Sequence, residues 1–165
     1  MRNFTRLFLI VALVAVSITC HSQAFTVSEF VNLTMKDKPA LEDGLSGKGY
    51  TFQSTVGSDM VSNEVYGASN GMTVTIMVPN FKTDEKMLSW QFSGSESLYN
   101  DLVKELTNTG FNKKDVERRS AGKYVATTYT KPGVTVTLSN DKVNNSNGVC
   151  TFSVRYSNAA WYNLK

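Results

Sequence analysis

Apolar and polar side chains alternate along most of the chain after residue 50, and this two-residue period is typical of β-strands. One such run places Val74, Ile76 and Val78 on one side and threonines on the other. Asn70 and Gly71 stand just before this run, between two strand-like segments, and the pair predicts a tight hairpin. Further alternating runs extend to residue 156, so the pattern predicts about eight antiparallel strands.

Three stretches show the spacing of amphipathic helices instead. Thr26 and Glu29 have the spacing of a capping box and predict that a helix begins there. Pro39 suits the first turn of a second short helix. A third helix carries Leu98 on its apolar stripe and is followed by Gly110, which predicts its C-terminal end.

The same order of elements occurs twice. LEDGLSGKGY at residues 41–50 and LVKELTNTGF at residues 102–111 share two Leu, a Gly and an aromatic residue at equal spacing, 61 residues apart. MTVTIM at residues 72–77 and VTVTLS at residues 134–139 are 62 residues apart. The chain is therefore predicted to contain an internal duplication.

We predict an α+β fold with two helix-plus-four-strand repeats, about residues 26–92 and 93–157. Each repeat is too short to bury its own sheet, so the two should form one antiparallel sheet with helices on one face. In the first strand, Phe52, Ser54 and Val56 are expected on the covered face. The opposite, open face is then predicted to carry Thr51, Gln53, Thr55, Thr73, Thr75, Ser89, Gln91, Thr135, Thr137, Thr151 and Ser153.

This tandem arrangement is similar to that of the beta-lactamase inhibitor protein family, whose members are secreted bacterial proteins with two helix-plus-four-strand units. The resemblance is architectural and covers most of residues 25–165, although the paired cysteines typical of that family are missing. It implies a protein partner bound on the open face of the sheet. No functional residue is carried over from it.

The first 24 residues have the anatomy of a secretory signal peptide. Arg2 and Arg6 precede an apolar run at residues 7–18, and Ser22 and Ala24 supply the small residues of a cleavage site. The run is shorter than the roughly 20 apolar residues that a membrane-spanning helix needs. We therefore expect a single mature domain at residues 25–165, secreted or periplasmic, with no transmembrane span after cleavage.

Cys20 supports an alternative location. A cysteine just after an apolar run is the acylated residue of a bacterial lipoprotein. The match is poor because Ser17 and Thr19 occupy the positions where that signal has Leu and a small residue. A membrane-anchored lipoprotein is therefore the alternative to plain secretion.

The predicted mature chain lacks the residues on which several kinds of catalysis depend. His21 is the only His and lies in the predicted signal, and Cys150 is the only Cys that follows it. Ser-His-Asp, Cys-His and His-ligated metal chemistry are excluded, and so is an internal disulfide. We expect no enzyme activity, no cofactor and no metal.

The charge balance gives no support for a polyanionic partner. The whole chain carries a net charge of +3, from 17 Lys and Arg against 14 Asp and Glu. Removal of Arg2 and Arg6 with the signal lowers this charge to about +1. We therefore expect no nucleic-acid binding.

Two motifs resemble phosphate or catalytic sites only superficially. Gly47, Lys48 and Gly49 lack the spacing of a phosphate loop and instead predict the end of a helix. Cys150 has no His to activate it and is in register with Phe152, so it is expected in the core.

Charged pairs and clusters are expected to be solvated. The candidate carboxylate pairs are Glu42 with Asp43, Asp84 with Glu85, and Asp115 with Glu117. A basic cluster comprises Lys113, Lys114, Arg118, Arg119 and Lys123. On an edge strand such charges prevent pairing with other chains, which explains them without a ligand.

Four aromatic residues are candidates for ligand binding: Tyr66, Tyr129, Trp161 and Tyr162. Aromatic side chains on an otherwise polar surface often bind partners, although packing at the ends of the sheet also explains them.

Together these observations favour a non-enzymatic secreted or envelope protein that binds a protein or another extracytoplasmic ligand through the open face. Two alternatives are a carboxylate-dependent hydrolase and a structural subunit that docks another chain through a sheet edge.

We expect the intact mass of the protein from its native host to correspond to a chain that begins near Phe25, recovered from the soluble fraction, because the signal peptide is removed. Soluble and membrane material are separated before the mass is measured. A chain that begins at Cys20, carries a lipid and is recovered from membranes would contradict secretion and support the lipoprotein.

Overall fold

The computed structural model describes residues 24–58, 60–79, 85–93, 95–143 and 148–157. These residues form three α-helices and eight β-strands, with a short 3-10 turn at Ser120–Gly122. The helices are α1 (Val27–Met35), α2 (Lys38–Gly47) and α3 (Glu96–Asn108). The strands are β1 (Thr51–Gly57), β2 (Val61–Gly67), β3 (Thr73–Pro79), β4 (Glu85–Ser93), β5 (Asn112–Arg119), β6 (Tyr124–Lys131), β7 (Val134–Asp141) and β8 (Val149–Ser157).

All eight strands form one antiparallel sheet, in the order β1-β2-β3-β4-β8-β7-β6-β5. The predicted α+β class and the predicted eight-stranded antiparallel sheet are therefore confirmed. Strands β4 and β8 pair at the centre, where Trp90 lies opposite Phe152 and Leu88 lies opposite Val154. Strands β1 and β5 are the two edges of the sheet.

Helices α1 and α2 begin where the sequence predicts, because the residue before each of them satisfies a free backbone N–H group. The Thr26 hydroxyl accepts from the Glu29 N–H, and the Glu29 carboxylate accepts from the Thr26 N–H, which completes the capping box. The Asp37 carboxylate caps α2 in the same way through the Ala40 N–H. At α3 the cap is Ser95, which accepts from the N–H of Leu98.

The core is a cluster of rings between α1 and the central strands. The ring of Phe25 lies 5.1 Å from that of Phe30, 5.4 Å from Tyr50 and 5.3 Å from Trp90. Phe30 also packs against Phe152 at 5.7 Å. Because Trp90 and Phe152 belong to β4 and β8, helix α1 packs across the seam between the two halves of the sheet.

The large buried side chains lie on one side of the sheet, which we call the helix face. On β7, Val134, Val136 and Leu138 are buried while Thr135 and Thr137 on the other side are partly exposed. Cys150 is a buried free thiol on the helix face, and burial raises its pKa, as expected for a core cysteine. The opposite side is the open face, and none of the described helices packs against it.

The faces of β1 differ from the predicted alternation because a β-bulge interrupts the strand. Phe52 pairs with Tyr66, but the next pair is Ser54 with Val65, so Gln53 is an extra residue. A bulge of this kind reverses the alternation of side chains beyond it. The prediction was therefore wrong for the second half of β1, which turns Ser54 and Val56 to the open face and Thr55 to the helix face.

Gly67 makes room for this bulge. A Cβ atom at Gly67 would overlap the side-chain carboxamide of Gln53, which therefore lies over the backbone of β2. Successive residues of a strand point to opposite faces, and the side chain of Tyr66 points to the helix face. A side chain at position 67 would therefore point to the open face, where Gln53 lies. Gln53 itself therefore stays on the open face.

Lys86 on β4 is buried at the corner where α1 passes into α2. Its ammonium donates to the main-chain carbonyl of Lys36, the residue that caps the C-terminus of α1. Burial lowers the pKa of Lys86 to about 8, and the nearby charge of Asp37 only partly opposes this change. The Lys86 ammonium is therefore poorly solvated at this corner.

Of the helices that the structure describes, none combines the length and the apolar composition that a membrane crossing requires.

Replacement of Lys86 by Met is expected to change how stability depends on pH. The pKa of Lys86 is about 8 in the folded chain, against an ordinary value of 10.5. The folded chain loses this proton first as the pH rises, so the contribution of Lys86 to stability is complete above about pH 10.5 and is lost as the pH falls through about 8. Across that window, the free energy of unfolding of the native chain should rise by roughly 2–3 kcal/mol relative to Lys86→Met.

The measurement is urea unfolding of both proteins at several pH values. Lys36→Met is the matched control, because it removes an exposed lysine from the same corner. If the free energies of unfolding of the native chain and of Lys86→Met change in parallel between pH 8 and pH 10.5, this account is contradicted.

Candidate functional site

The open face carries rows of hydroxyl groups that run across the strands. Antiparallel residues that lie directly opposite each other share a face. One row is formed by Thr75, Ser89, Ser153, Thr137 and Thr128, on β3, β4, β8, β7 and β6. At the centre of the sheet the hydroxyls of Ser89 and Ser153 are 2.9 Å apart and hydrogen-bond. The predicted polar face is thus present across the central strands.

One part of the open face is concave. A depression of about 520 Å³ is lined by Gln91, Tyr124, Thr137, Ser139, Asp141, Val149, Thr151 and Ser153. Tyr124 and Asp141 are paired across β6 and β7 and form one side of it. The Arg119 guanidinium lies 5.7 Å from the centre of the Tyr124 ring. The depression therefore combines neutral donors and acceptors with one carboxylate and one aromatic ring.

The other part of the open face, near β1, is more apolar. Val56, Met77 and Met87 share a row with Asn63, and Val65 lies in the adjacent row. The side chain of Val56 is 61% exposed. Methionine and valine at a partly exposed surface can adapt to different partners, because the methionine side chain is flexible and polarisable. The open face therefore has an apolar end and a hydroxyl-rich end.

A second concave region lies on the helix face, between α2 and the edge strand β1. We call it the edge groove, and it is lined by Lys38, Glu42, Asp43, Ser46, Tyr50, Thr51, Phe52, Thr55, Glu64 and Tyr66. Its volume is about 550 Å³. The three carboxylates and the single ammonium of this lining make the groove acidic.

The carboxylates of the edge groove converge on one hydroxyl. The Tyr66 hydroxyl lies 3.1 Å from a carboxylate oxygen of Glu42 and 3.5 Å from one of Glu64. The Lys38 ammonium is 2.5 Å from Glu64 and 3.9 Å from Glu42. Burial, followed by the two carboxylates, raises the pKa of Tyr66. The hydroxyl therefore keeps its proton and acts as a donor.

The aromatic residues singled out from the sequence fall in different places. Tyr66 and Tyr129 lie on the helix face, opposite Val74 and Val136, and their side chains are only 6% and 5% exposed. The hydroxyl of Tyr66 nevertheless lines the edge groove. Trp161 and Tyr162 lie outside the described residues, as does Cys20. A binding role for these aromatics stays a prediction.

The other charged candidates lie at the surface where they can be described. Asp115 and Glu117 are exposed on β5, and Glu117 forms an ion pair with Arg119. The basic cluster Lys113, Lys114, Arg118, Arg119 and Lys123 is exposed as well. Asp84 and the side chain of Glu85 are outside the described part of the chain.

Lys48 of the GKG sequence caps the end of α2, as predicted. Its ammonium bonds the Ala24 carbonyl at 3.0 Å and the Glu29 carboxylate at 2.9 Å, and so helps to fix the segment that enters α1.

Sequence patterns miss the convergence of Glu42 and Glu64, because the two residues are far apart in the chain. The pattern pairs Glu42 only with its neighbour Asp43, whose side chain points in a different direction on a helix. Lys38 and Glu42 do have the i,i+4 spacing of a helical ion pair, which is the one local signal. No local pattern indicates that α2 covers Glu64.

Within the described ranges, no group of three or more His, Cys, Asp or Glu side chains is placed to hold a metal ion. Comparison of the chain with protein-family models, with curated proteins and with solved structures found no match.

Proposed function

We propose that this chain is a non-enzymatic binding protein, secreted or in the bacterial envelope, and that it binds another protein through its open face. The observation that carries the proposal is the one-sided burial of the sheet. The helices cover one face, while the other presents hydroxyl rows across β3, β4, β8, β7 and β6 and an apolar end near β1.

The chemistry of the open face suits a protein partner. Neutral hydroxyls and amides exchange hydrogen bonds with a partner without the cost of removing charges from water. The row of Val56, Met77 and Met87 adds an apolar contact of the kind found at the centre of protein interfaces. Tyr124, beside the depression, supplies an aromatic ring of the type that often contributes most to binding.

We also propose that the two halves are an internal repeat, in the manner of the beta-lactamase inhibitor protein family. The strand order supports this, because β1 to β4 and β5 to β8 are each a meander and meet through their last strands. The pairing of Trp90 with Phe152 is flanked on each side by equivalent pairs, Leu88 with Val154 and Phe92 with Cys150. The 62-residue offset of the sequence relates Leu88 to Cys150, Trp90 to Phe152 and Phe92 to Val154, so the offset exchanges the outer members of these pairs.

The alternative of a carboxylate-dependent hydrolase rests on Glu42 and Glu64. Such an enzyme needs two carboxylates with different roles, one of which holds a proton. Here Glu42 and Glu64 lie beside the same Tyr66 hydroxyl and the same Lys38 ammonium, so both carboxylates already have partners within the chain. This pairing favours a binding role for the groove.

We expect the purified protein not to hydrolyse glycoside, ester or peptide substrates. Glu64→Gln is the variant that tests whether any hydrolysis depends on the groove. The variant removes one carboxylate charge and keeps the size of the side chain. Hydrolysis by the native chain that is lost in Glu64→Gln, with folding unchanged by circular dichroism, would support the hydrolase and contradict the binding proposal.

For the open face, Thr137→Arg is expected to weaken partner binding about tenfold or more, because a long charged side chain in the middle of an interface costs more than about 1.4 kcal/mol. Thr137 lines the depression, and its backbone lies in the sheet, so the arginine can extend into solvent in the free protein. The matched control is Thr107→Arg on the exposed face of α3.

Partners are captured by chemical cross-linking in the native host and are quantified for the native chain and both variants. Loss of a cross-linked species in Thr137→Arg alone supports the proposal. Equal capture by all three proteins would show that the open face is not the binding surface.

A further inference from the structure

The two edges of the sheet differ sharply in charge. Edge strand β1 has the sequence TFQSTVG and contains no charged residue, while edge strand β5 has the sequence NKKDVERR. Proteins usually protect exposed edges with charged side chains, because an unpaired edge is a template for another strand. Here only one of the two edges is protected in this way.

Strand β1 also exposes apolar side chains. Phe52 is 57% exposed on the helix face, where its ring packs edge-on against Tyr66 at 5.6 Å. Val56 is 61% exposed on the open face. A strand added beside β1 would cover apolar surface on both faces of the sheet.

The backbone of β1 has hydrogen-bonding groups free to pair. The Ser58 N–H donates to the Val61 carbonyl at the hairpin between β1 and β2. Hydrogen-bonded and non-hydrogen-bonded pairs alternate along an antiparallel ladder, so Val56 directs its backbone groups toward β2. Thr55 and Gly57 then direct their N–H and C=O groups outward, away from the sheet.

On the helix face, this edge is bordered by the acidic edge groove. Glu42 and Asp43 project from α2, and Glu64 comes from β2. Lys38 neutralises part of this charge, and the side chain of Glu42 is still 43% exposed. A strand beside β1 would therefore fit best with basic side chains on its helix face.

Strand β5 of the same chain has this property. The register of β5 with β6, and its own bulge at Lys114, place Lys113, Val116 and Arg118 on the helix face. The acidic residues Asp115 and Glu117 fall on the open face, where Arg119 already neutralises Glu117. The helix face of β5 is thus basic, with one apolar residue between two cations.

The directions of the edge strands are also compatible. Every neighbouring pair in the eight-stranded sheet is antiparallel, so β1 and β5 run in opposite directions. When a second copy is placed beside the first with its helices on the same side, its β5 lies antiparallel to β1. The ladder can then continue from one copy into the next.

We propose that the β1 edge binds the β5 edge of a second copy of this chain, with Lys113 and Arg118 of that copy against the acidic edge groove. Pairing of β5 with β5 would bring lysine and arginine side chains together, and pairing of β1 with β1 would leave the groove carboxylates unmatched. The contact is head-to-tail, so it generates chains of molecules or rings. The depression lined by Thr137 stays free, so the proposal does not rest on open-face binding.

The test uses two variants, each blocked at one edge. Glu42→Lys reverses a charge in the groove and leaves β5 intact, while Arg118→Glu reverses a charge on β5 and leaves the groove intact. The proteins are produced from the full-length gene, and the soluble form is compared by sedimentation velocity. Circular dichroism checks that each variant folds, and Asp43→Lys replaces Glu42→Lys if the latter does not.

For the native chain, we expect the average mass to rise with concentration at about 0.05 M salt and to fall at about 0.5 M salt, where charge contacts are screened. Each variant alone should be monomeric. An equal mixture should associate again, because the unchanged groove of Arg118→Glu can bind the unchanged β5 of Glu42→Lys.

Three results would overturn the proposal. The native chain could be monomeric at every concentration in low salt, or the mixture of variants could stay monomeric. Alternatively, Arg118→Glu alone could associate as strongly as the native chain, which would show that β1 pairs with itself.

Discussion

The contact on which the rest of the structure depends is the packing of Phe25 and Phe30 over Trp90 and Phe152. The rings of Trp90 and Phe152 lie opposite each other on β4 and β8, the strands through which the two halves of the sheet meet. Aromatic rings in edge-to-face contact add to the free energy of burial. Helix α1 supplies the ring of Phe30, and Phe25 lies two residues before the first residue of α1, so this segment holds both halves in one sheet.

A sheet with one layer of helices must leave its second face stable in water. Threonine and serine meet this requirement, because threonine favours the extended backbone and both hydroxyls stay hydrated. The hydroxyl rows that include Thr137 and Ser153 thus follow from the one-sided core. They also form a surface that can exchange hydrogen bonds with a partner at little cost, so the same residues serve the fold and the proposed function.

Local features of this fold could be predicted from the sequence, and contacts between distant segments could not. The capping of α1 by Thr26 and the hairpin at Gly71 depend on residues within four positions of each other, so the pattern determines them. The bulge at Gln53 depends on the space that Gly67 leaves on the neighbouring strand, and no period within β1 indicates it. One extra residue was enough to exchange the faces of half a strand. The candidate site shows the same limit, because the ring of Tyr66 packs in the core while its hydroxyl meets Glu42 in the groove, and an alternating strand is compatible with either environment.

The bulge also explains why β1 can lack charges without being fully open to other strands. Gln53 disrupts the ladder in the first half of the strand, and α2 places carboxylates in the groove beside the strand. A neutral edge with an acidic wall rejects strands that carry acidic side chains on their helix face and accepts basic ones. The uncharged sequence of β1 is therefore selective because of residues that lie outside the strand, and the charge of its neighbours determines which edges it can pair with.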